Sequence, residues 1–352
     1  MLHSLSKTQA WLLIVLVALA CIWAARLVPR DTPAADTAAA TAAATVAIHA
    51  NGYSDVQLYH DIADRMRGGT GYYQAATSLQ RAHGFPTNPF VTVRLPTLAA
   101  MAATFGWAAL QAVLAVLLGL GAVLWYREAK PGATPIEAAA VALALIAGGA
   151  MVSQRDLAAV HELWAGTLLA LAMALRGGKR WPLALAAAAL ALAIREMALP
   201  FVLLACAFAA FERRRNEAIG WAALVVLFGL GMALHAQAVD AAALPTDLVS
   251  EGWHEHRGPS AVLFDLVDVS LLNRLINPVA YPLTLLALLG WSAAPFRQAR
   301  FALVYFAGYA LMLAVFARAQ NFYWASVLLP VWFVGFAFLP RGLRALFKAA
   351  QG

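Results

Sequence analysis

The stretch from residue 54 to residue 73, SDVQLYHDIADRMRGGTGYY, gathers three aspartates, one histidine and three tyrosines in a chain that is otherwise largely apolar. Ser54 has the chemistry of a helix N-cap and Gly68-Gly69 that of a stop, so the spacing predicts a helix of about fourteen residues. Asp55 then falls in the first turn, where the helix dipole favours a carboxylate. A carboxylate held there can take a proton from an incoming hydroxyl, the work of a general base. Val56, Tyr59, Ile62, Ala63 and Met66 recur at spacings of three and four and give the helix one apolar face. Asp61, Asp64 and Arg65 fall on the other side; His60, Asp61 and Asp64 lack a metal-ligand spacing and read as a solvated face.

The rest of the chain must position that helix. Of 352 residues, 62% are hydrophobic and only 12% charged, with a mean hydropathy of +0.71, too apolar for a water-soluble domain. Cys21 and Cys206 sit inside apolar runs, so they build neither a disulfide framework nor a zinc cluster. Apolar windows of roughly 18 to 25 residues match a hydrocarbon layer of about 30 Å; they lie near 10–28, 107–126, 136–153, 159–175, 181–197, 198–211, 218–237, 276–294, 301–317 and 322–339, of which 181–197 and 198–211 are short. The fold expected is an all-α polytopic membrane protein of about ten transmembrane helices, with amphipathic surface helices in its first outer loop. The pair at 181–211 shares the junction REMALP and reads equally as one broken element. Residues 18–21, ALAC, faintly resemble a lipoprotein cleavage site, but the apolar run continues past Cys21 and an uncleaved first span is expected.

Basic residues orient the chain. Arg127 and Lys130, Arg176, Lys179 and Arg180, Arg213 to Arg215, Arg297 and Arg300, and the tail Arg341, Arg344 and Lys348 all fall on one side. By the positive-inside bias that side is the cytoplasm, with both termini, and residues 29–106 and 238–275 lie outside. Fourteen of the eighteen acidic residues then face outward. Acidic residues hardly affect insertion, so a working site explains this asymmetry better than topology does. In the first outer loop, residues 31–48 read as a spacer or weak helix and Asn51-Gly52 as a turn. Pro86, Pro89 and Pro96 rule out one continuous helix further on, and the residues before Trp107 read as a surface helix approaching the second span.

An acid at Asp55, a tyrosine at Tyr59, the pair Ile62-Ala63, then Gly68 and Tyr72, all in the first large outer loop and followed by Arg94-Leu95-Pro96, resemble the GT-C glycosyltransferases. These are polytopic enzymes that use polyprenyl-phosphate sugars, among them protein O-mannosyltransferases, lipid A aminoarabinose transferases and envelope mannosyl- and arabinosyltransferases. The resemblance covers roughly residues 10 to 215. It implies a GT-C-like transmembrane module over 1–215, whose outer loop 29–106 carries the catalytic acid, and C-terminal transmembrane helices over 216–352 with the outer loop 238–275. It implies a polyprenyl-phosphate sugar donor, a glycan, lipid or protein acceptor in the cell envelope, and an inner-membrane location with the site on the outer face. Family members often carry a second acid next to the first. Here the neighbours are Ser54 and Val56, so no cofactor is expected and a divalent metal finds no support.

Such a transfer needs a carboxylate for the acceptor proton, the role the resemblance gives Asp55, and cations for the donor phosphate. The outer arginines are Arg94, Arg155, Arg195, Arg274 and Arg318. Arg94 and Arg195 are the expected phosphate ligands, the second because a charge between two predicted spans is expensive and commonly paired or functional. Tyr59, His161, Glu162, Glu196, Asn321 and Tyr323 are the expected substrate contacts. In the last of these segments, RAQNFYWA, the amides and aromatic faces suit a sugar, although Tyr and Trp also form interfacial belts. His254, Glu255 and His256 supply only an H-x-H pair, short of a metal site. No nucleic-acid signature is present. A transporter or flippase is the rival class, since such proteins place ionisable groups near the midplane and show inverted repeats; a non-catalytic envelope-assembly scaffold is a third reading.

Overall fold

The computed structural model describes residues 2–28 and 53–352, so the expected spacer 31–48 and the Asn51-Gly52 turn lie outside the described residues. The chain runs through α1 (Lys7–Ala25), α2 (Asp55–Arg67), α3 (Tyr72–Ala82), α4 (Pro96–Phe105), α5 (Trp107–Ala129), α6 (Pro135–Gly148), α7 (His161–Leu175) and α8 (Trp181–Ile194). It continues through α9 (Leu199–Phe211), α10 (Arg215–Ala241), α11 (Gly258–Asp268), α12 (Asn277–Ala293) and α13 (Gln298–Phe316), then a series of short 3-10 and α turns over 319–338, and ends in α14 (Leu339–Gln351). Local signals set many of these starts. Proline stands in the first turn of α4, α6, α8, α9, α11 and α12, where its missing N–H costs nothing. Ser6 with Gln9 and Thr134 with Glu137 form reciprocal capping boxes.

Each of the ten apolar windows is helical, and among the described residues five stretches are long and apolar enough to cross a membrane: Lys7–Ala25, Trp107–Ala129, Arg215–Ala241, Gln298–Phe316 and Leu329–Gln351. This makes the protein all-α and polytopic, a protein of the bilayer, without supporting ten full spans. The shorter helices have identifiable stops. α6 ends at Gly148-Gly149, and α8 ends because Arg195 is extended, with φ −147° and ψ 115°. The junction at 195–198 thus separates two helices, α8 and α9. Leu329–Gln351 also changes character at Leu339, since α14 carries Arg341, Arg344 and Lys348 on one side and packs Ala345, Leu346 and Ala350 against α1 and α12.

One apolar cluster extends from Val56 to Phe338 and takes residues from both sides of position 215. Helices inside a bilayer gain little from expelling water, so close backbone approach matters. Gly290 in α12 and Gly335 lie against each other so tightly that a Cβ on Gly290 would stand 1.8 Å from the Gly335 carbonyl oxygen. Alanine at either position would force the two segments apart.

The stretches 149–161, 195–198, 242–258 and 317–324 come together at one end of the bundle, where Arg195 pairs with Glu162 and lies beside Trp324, Arg257 reaches the Arg318 carbonyl and Glu255 accepts the Ala319 N–H. Over that end lie α2, α3 and α4. Leu58, Ile62, Ala75, Ala76, Leu79, Phe85 and Val93 form their shared apolar layer, with Val239 from α10.

Candidate functional site

Ser54 caps α2 as its residue type dictates, accepting the Gln57 amide N–H on Oγ at 3.1 Å, and Gly68 ends it. Val56, Leu58, Ile62 and Ala63 are buried. Asp61 accepts from Tyr53 and from Gln57 Nε2, and Asp64 pairs with Arg67 on the exposed side. The first turn and its neighbour one turn on, Asp55 and Tyr59, open onto a cavity of about 330 Å³. Its walls come from three distant parts of the chain: Asp55, Tyr59, Tyr72 and Arg94; Ser250 and Trp253; and Arg318, Asn321, Tyr323 and Trp324.

Arg94 stands between Val93 and Leu95, both extended, just before the first turn of α4. Its Nε donates to the Tyr59 hydroxyl at 3.1 Å and its Nη2 to the Tyr323 hydroxyl at 3.3 Å. The backbone that carries it is fixed from two sides. Tyr72 donates its hydroxyl to the Arg94 carbonyl, and His235 of α10 contacts the neighbouring Val93 carbonyl at 3.0 Å and the Tyr73 hydroxyl at 3.1 Å. A carbonyl can only accept, so that histidine carries its proton on Nε2 and receives the tyrosine on Nδ1. Burial favours the neutral form of Arg94, but Tyr59, Tyr323, Glu162 and Glu196 outweigh it and raise its pKa well above the ordinary value. Arg94 is a fixed cation. Burial, opposed by Arg94 and assisted by Asp55 and Glu162, pushes the Tyr59 phenol up to about 12, so it stays a neutral hydroxyl.

Behind this wall is a buried group of charges. Arg195 is fully buried; its Nε donates to Glu162 Oε1 at 2.7 Å and its Nη1 pairs with Glu196. Its guanidinium lies 5.9 Å from the centre of the Trp324 ring. His161, at the start of α7, meets Tyr59 edge-on with ring centres 4.7 Å apart. Arg195, Glu162, Glu196 and His161 therefore support the wall made by Tyr59 and Trp324 and do not line the cavity themselves.

The far wall is held by ion pairs. Arg318 receives a long contact from Glu251 at 3.8 Å, donates its backbone N–H to Asn321 Oδ1 at 3.3 Å and stacks over Trp253 at 5.8 Å. Arg257 binds Asp265 through two hydrogen bonds of 2.9 and 3.0 Å and reaches the Arg318 carbonyl at 3.2 Å. The loop bearing Ser250 and Trp253 is tied to the end of α3 and the segment after it by Arg81 and Asp247 and by backbone bonds from Thr87 and Ser250 to Leu248 and Asn88. Arg81 holds the Asp247 carboxyl well below the usual carboxylate range.

Asp55, Tyr59, Arg94, Asn321 and Tyr323, all expected from sequence, share the cavity. Arg195, His161, Glu162 and Glu196 are adjacent but behind it. Arg274 lies away at a small cleft beside Ser270, and the Arg155 side chain lies outside the described residues. Arg318 was one of five outer arginines by sequence, and the structure sets it on the cavity wall opposite α2. Trp253 was not expected; its only signal is an aromatic residue inside the polar loop SEGWHEHRGPS. Glu255 accepts the Ala319 N–H at 3.2 Å, and among the described residues no three metal-ligating side chains come together. No family model, curated protein or solved structure matches this chain. The class is the one that fold and cavity define, an all-α polytopic protein of the membrane with a carboxylate and arginines in one cavity at the end of its bundle.

Proposed function

We propose that this chain is an integral membrane glycosyltransferase that moves a sugar from a polyprenyl-phosphate donor to a hydroxyl of an envelope glycan, lipid or protein. The observation that supports this most is the shared cavity of Asp55, Arg94 and Arg318, set over apolar helices that a lipid-linked donor can lie against. As the acceptor oxygen bonds to the anomeric carbon, Asp55 takes its proton. The bond from that carbon to the phosphate oxygen breaks, and its electron pair leaves on polyprenyl phosphate, whose extra charge Arg94 and Arg318 neutralise. Trp253, Trp324 and Asn321 supply the aromatic faces and amide that grip a sugar. With the arginine-rich turns in the cytoplasm, both termini are cytoplasmic and the cavity faces the outer side of an inner membrane. A transporter would place its charges near the midplane; here the Arg195 group stands at the cavity end of α7 and α8.

The test is Asp55→Asn, which keeps side-chain shape but cannot accept the proton. Turnover should fall by roughly a hundred- to ten-thousandfold while expression and donor binding persist, with Asp61→Asn and Asp64→Asn far milder. The readout is the envelope product missing in a deletion strain. Restoration of that product at the wild-type rate by Asp55→Asn removes the base, and the transporter or scaffold reading then leads.

A further inference from the structure

At the end of the bundle away from Asp55, guanidinium groups converge on the turn after α7. Gly177 and Gly178 hold φ values of 73° and 70°, and a Cβ on Gly177 would stand 2.8 Å from Arg214 Nη1 and 2.9 Å from Arg297 Nη1. Two nitrogens so close to one point are less than about 6 Å apart, a separation at which like charges repel, and of the two only Arg214 Nη1 has a carboxylate, Glu217, directly on it. Arg297 is steered there by donating Nη2 to the Arg176 and Gly177 carbonyls, each at 2.9 Å.

Carboxylates are present but do not saturate the group. Arg214 pairs with Glu212 and Glu217, and Arg297 lies 3.8 Å from Glu128. Arg176, only 4% exposed, is 3.5 Å from Glu212, yet its Nε and Nη2 make no hydrogen bond, and Arg214 Nε makes none either. Buried N–H groups are rarely left without an acceptor. Burial and the Arg214 charge together pull the Arg176 guanidinium down to about 10 despite Glu212 and Glu217.

Beside these arginines opens a groove of about 690 Å³ framed by Phe208, Phe211, Pro295 and Phe296, with Glu212, Arg297 and Arg300 on its edge. Phe208 joins the two features, since the Arg176 guanidinium lies over its ring at 5.2 Å and over Phe301 at 4.3 Å. An oxygen-rich anion attached to an apolar chain satisfies both. We propose that this is a binding site for an anionic phospholipid, its phosphate received by Arg176, Arg214 and Arg297 and its acyl chain laid along Phe208, Phe211 and Phe296. A planar guanidinium suits the phosphate because it offers two parallel donors and stays charged beside lipid.

The site stands at the opposite end from the cavity and does not depend on the transferase reading. The experiment follows thermal unfolding of the purified full chain in neutral detergent with added dioleoyl phosphatidylglycerol, dioleoyl phosphatidylcholine or inorganic phosphate. Phosphatidylglycerol should stabilise well beyond phosphatidylcholine. The pair Arg297→Gln and Arg300→Gln, both on exposed side chains, should weaken the phosphatidylglycerol response by about fivefold for each arginine. Gly177→Ala, which puts a methyl group into the cradle, should weaken it too. Equal stabilisation by both lipids, an unchanged response in the Arg297/Arg300 variant, or inorganic phosphate matching phosphatidylglycerol would each overturn the proposal.

Discussion

Arg195→Met asks whether the partner of this arginine is a carboxylate or a substrate. Methionine keeps much of the volume and the flexible stem but removes the charge. Glu162 then remains 2% exposed with no cation at 2.7 Å, whereas Glu196, with a side chain 25% exposed, can turn toward water. Stranding one member of a buried pair costs about 3–5 kcal/mol, and because Glu196 escapes much of the penalty the expected loss is near the lower figure. The double variant Arg195→Met/Glu162→Gln removes the stranded charge and should recover a large part of that loss, a coupling that a double-mutant cycle measures directly. Unfolding in detergent gives the stability, and titration with a polyprenyl-phosphate sugar gives donor binding by the folded fraction. The reasoning predicts lost stability with donor affinity nearly kept. The reverse pattern, unchanged stability with donor binding abolished, would refute it and assign Arg195 to the phosphate.

Arg94→Ala removes a charged donor from the cavity wall and should weaken donor binding by roughly ten- to hundredfold; Arg94→Lys should rescue only part, because one ammonium cannot serve Tyr59 and Tyr323 as Nε and Nη2 do. An unchanged titration in both would shift the phosphate to Arg318. Trp253→Ala frees Arg318 from its ring contact, worth about 0.5–2 kcal/mol, and should raise the donor KM by roughly two- to thirtyfold, with Trp253→Phe close to wild type; equal KM values in all three would separate Trp253 from the site. His60 packs on Trp107 with ring centres 4.8 Å apart, and burial lowers its pKa against the opposing pull of Asp156, Asp64 and Asp61. The folded state therefore binds fewer protons than the unfolded one, so this stability is complete above about pH 6.5 and is lost as pH falls below it. Melting at pH 7.5 and 5.5 should show a drop that His60→Gln reduces, and an equal drop in both would assign it to other groups.

Elements whose signals are local were legible. The helix carrying Asp55 followed from Ser54, Gly68 and a three-and-four apolar spacing, and it was found at Asp55–Arg67. By contrast α3 gave no such signal, since its buried face includes Thr77 and Gln80 beside small alanines. Gln80 is buried because the Pro86 and Thr92 carbonyls both take its amide N–H, partners that only the folded loop provides. The far wall was legible as residue types but not as a wall. Arg94 and Tyr323 are 229 positions apart, and no spacing rule links them. Arg195 stood out as a charge between apolar windows, yet a local reading offers Glu196 as its partner and misses Glu162, which is 33 positions away.

The short helices and the candidate site have a common cause. Window counting follows hydropathy alone, but where a helix is interrupted its backbone groups and any buried charge must find partners within the protein. α8 stops at Ile194, Arg195 runs extended, and a 3-10 turn over Glu196–Ala198 leads into α9. The Arg195 N–H still reaches the Ala191 carbonyl at 2.8 Å, the Ala198 N–H reaches the Arg195 carbonyl at 3.0 Å, and Arg195 pairs through Nε with Glu162 and through Nη1 with Glu196, leaving only its Nη2 without a hydrogen bond. The same interruption that separates α8 from α9 thus builds the buried charge group behind Tyr59 and Trp324. A continuous helix through Arg195 would turn that side chain with the helical period and take the cation away from Glu162. The break is therefore part of the wall: the chain departs from helix at the place where its side chains support the cavity.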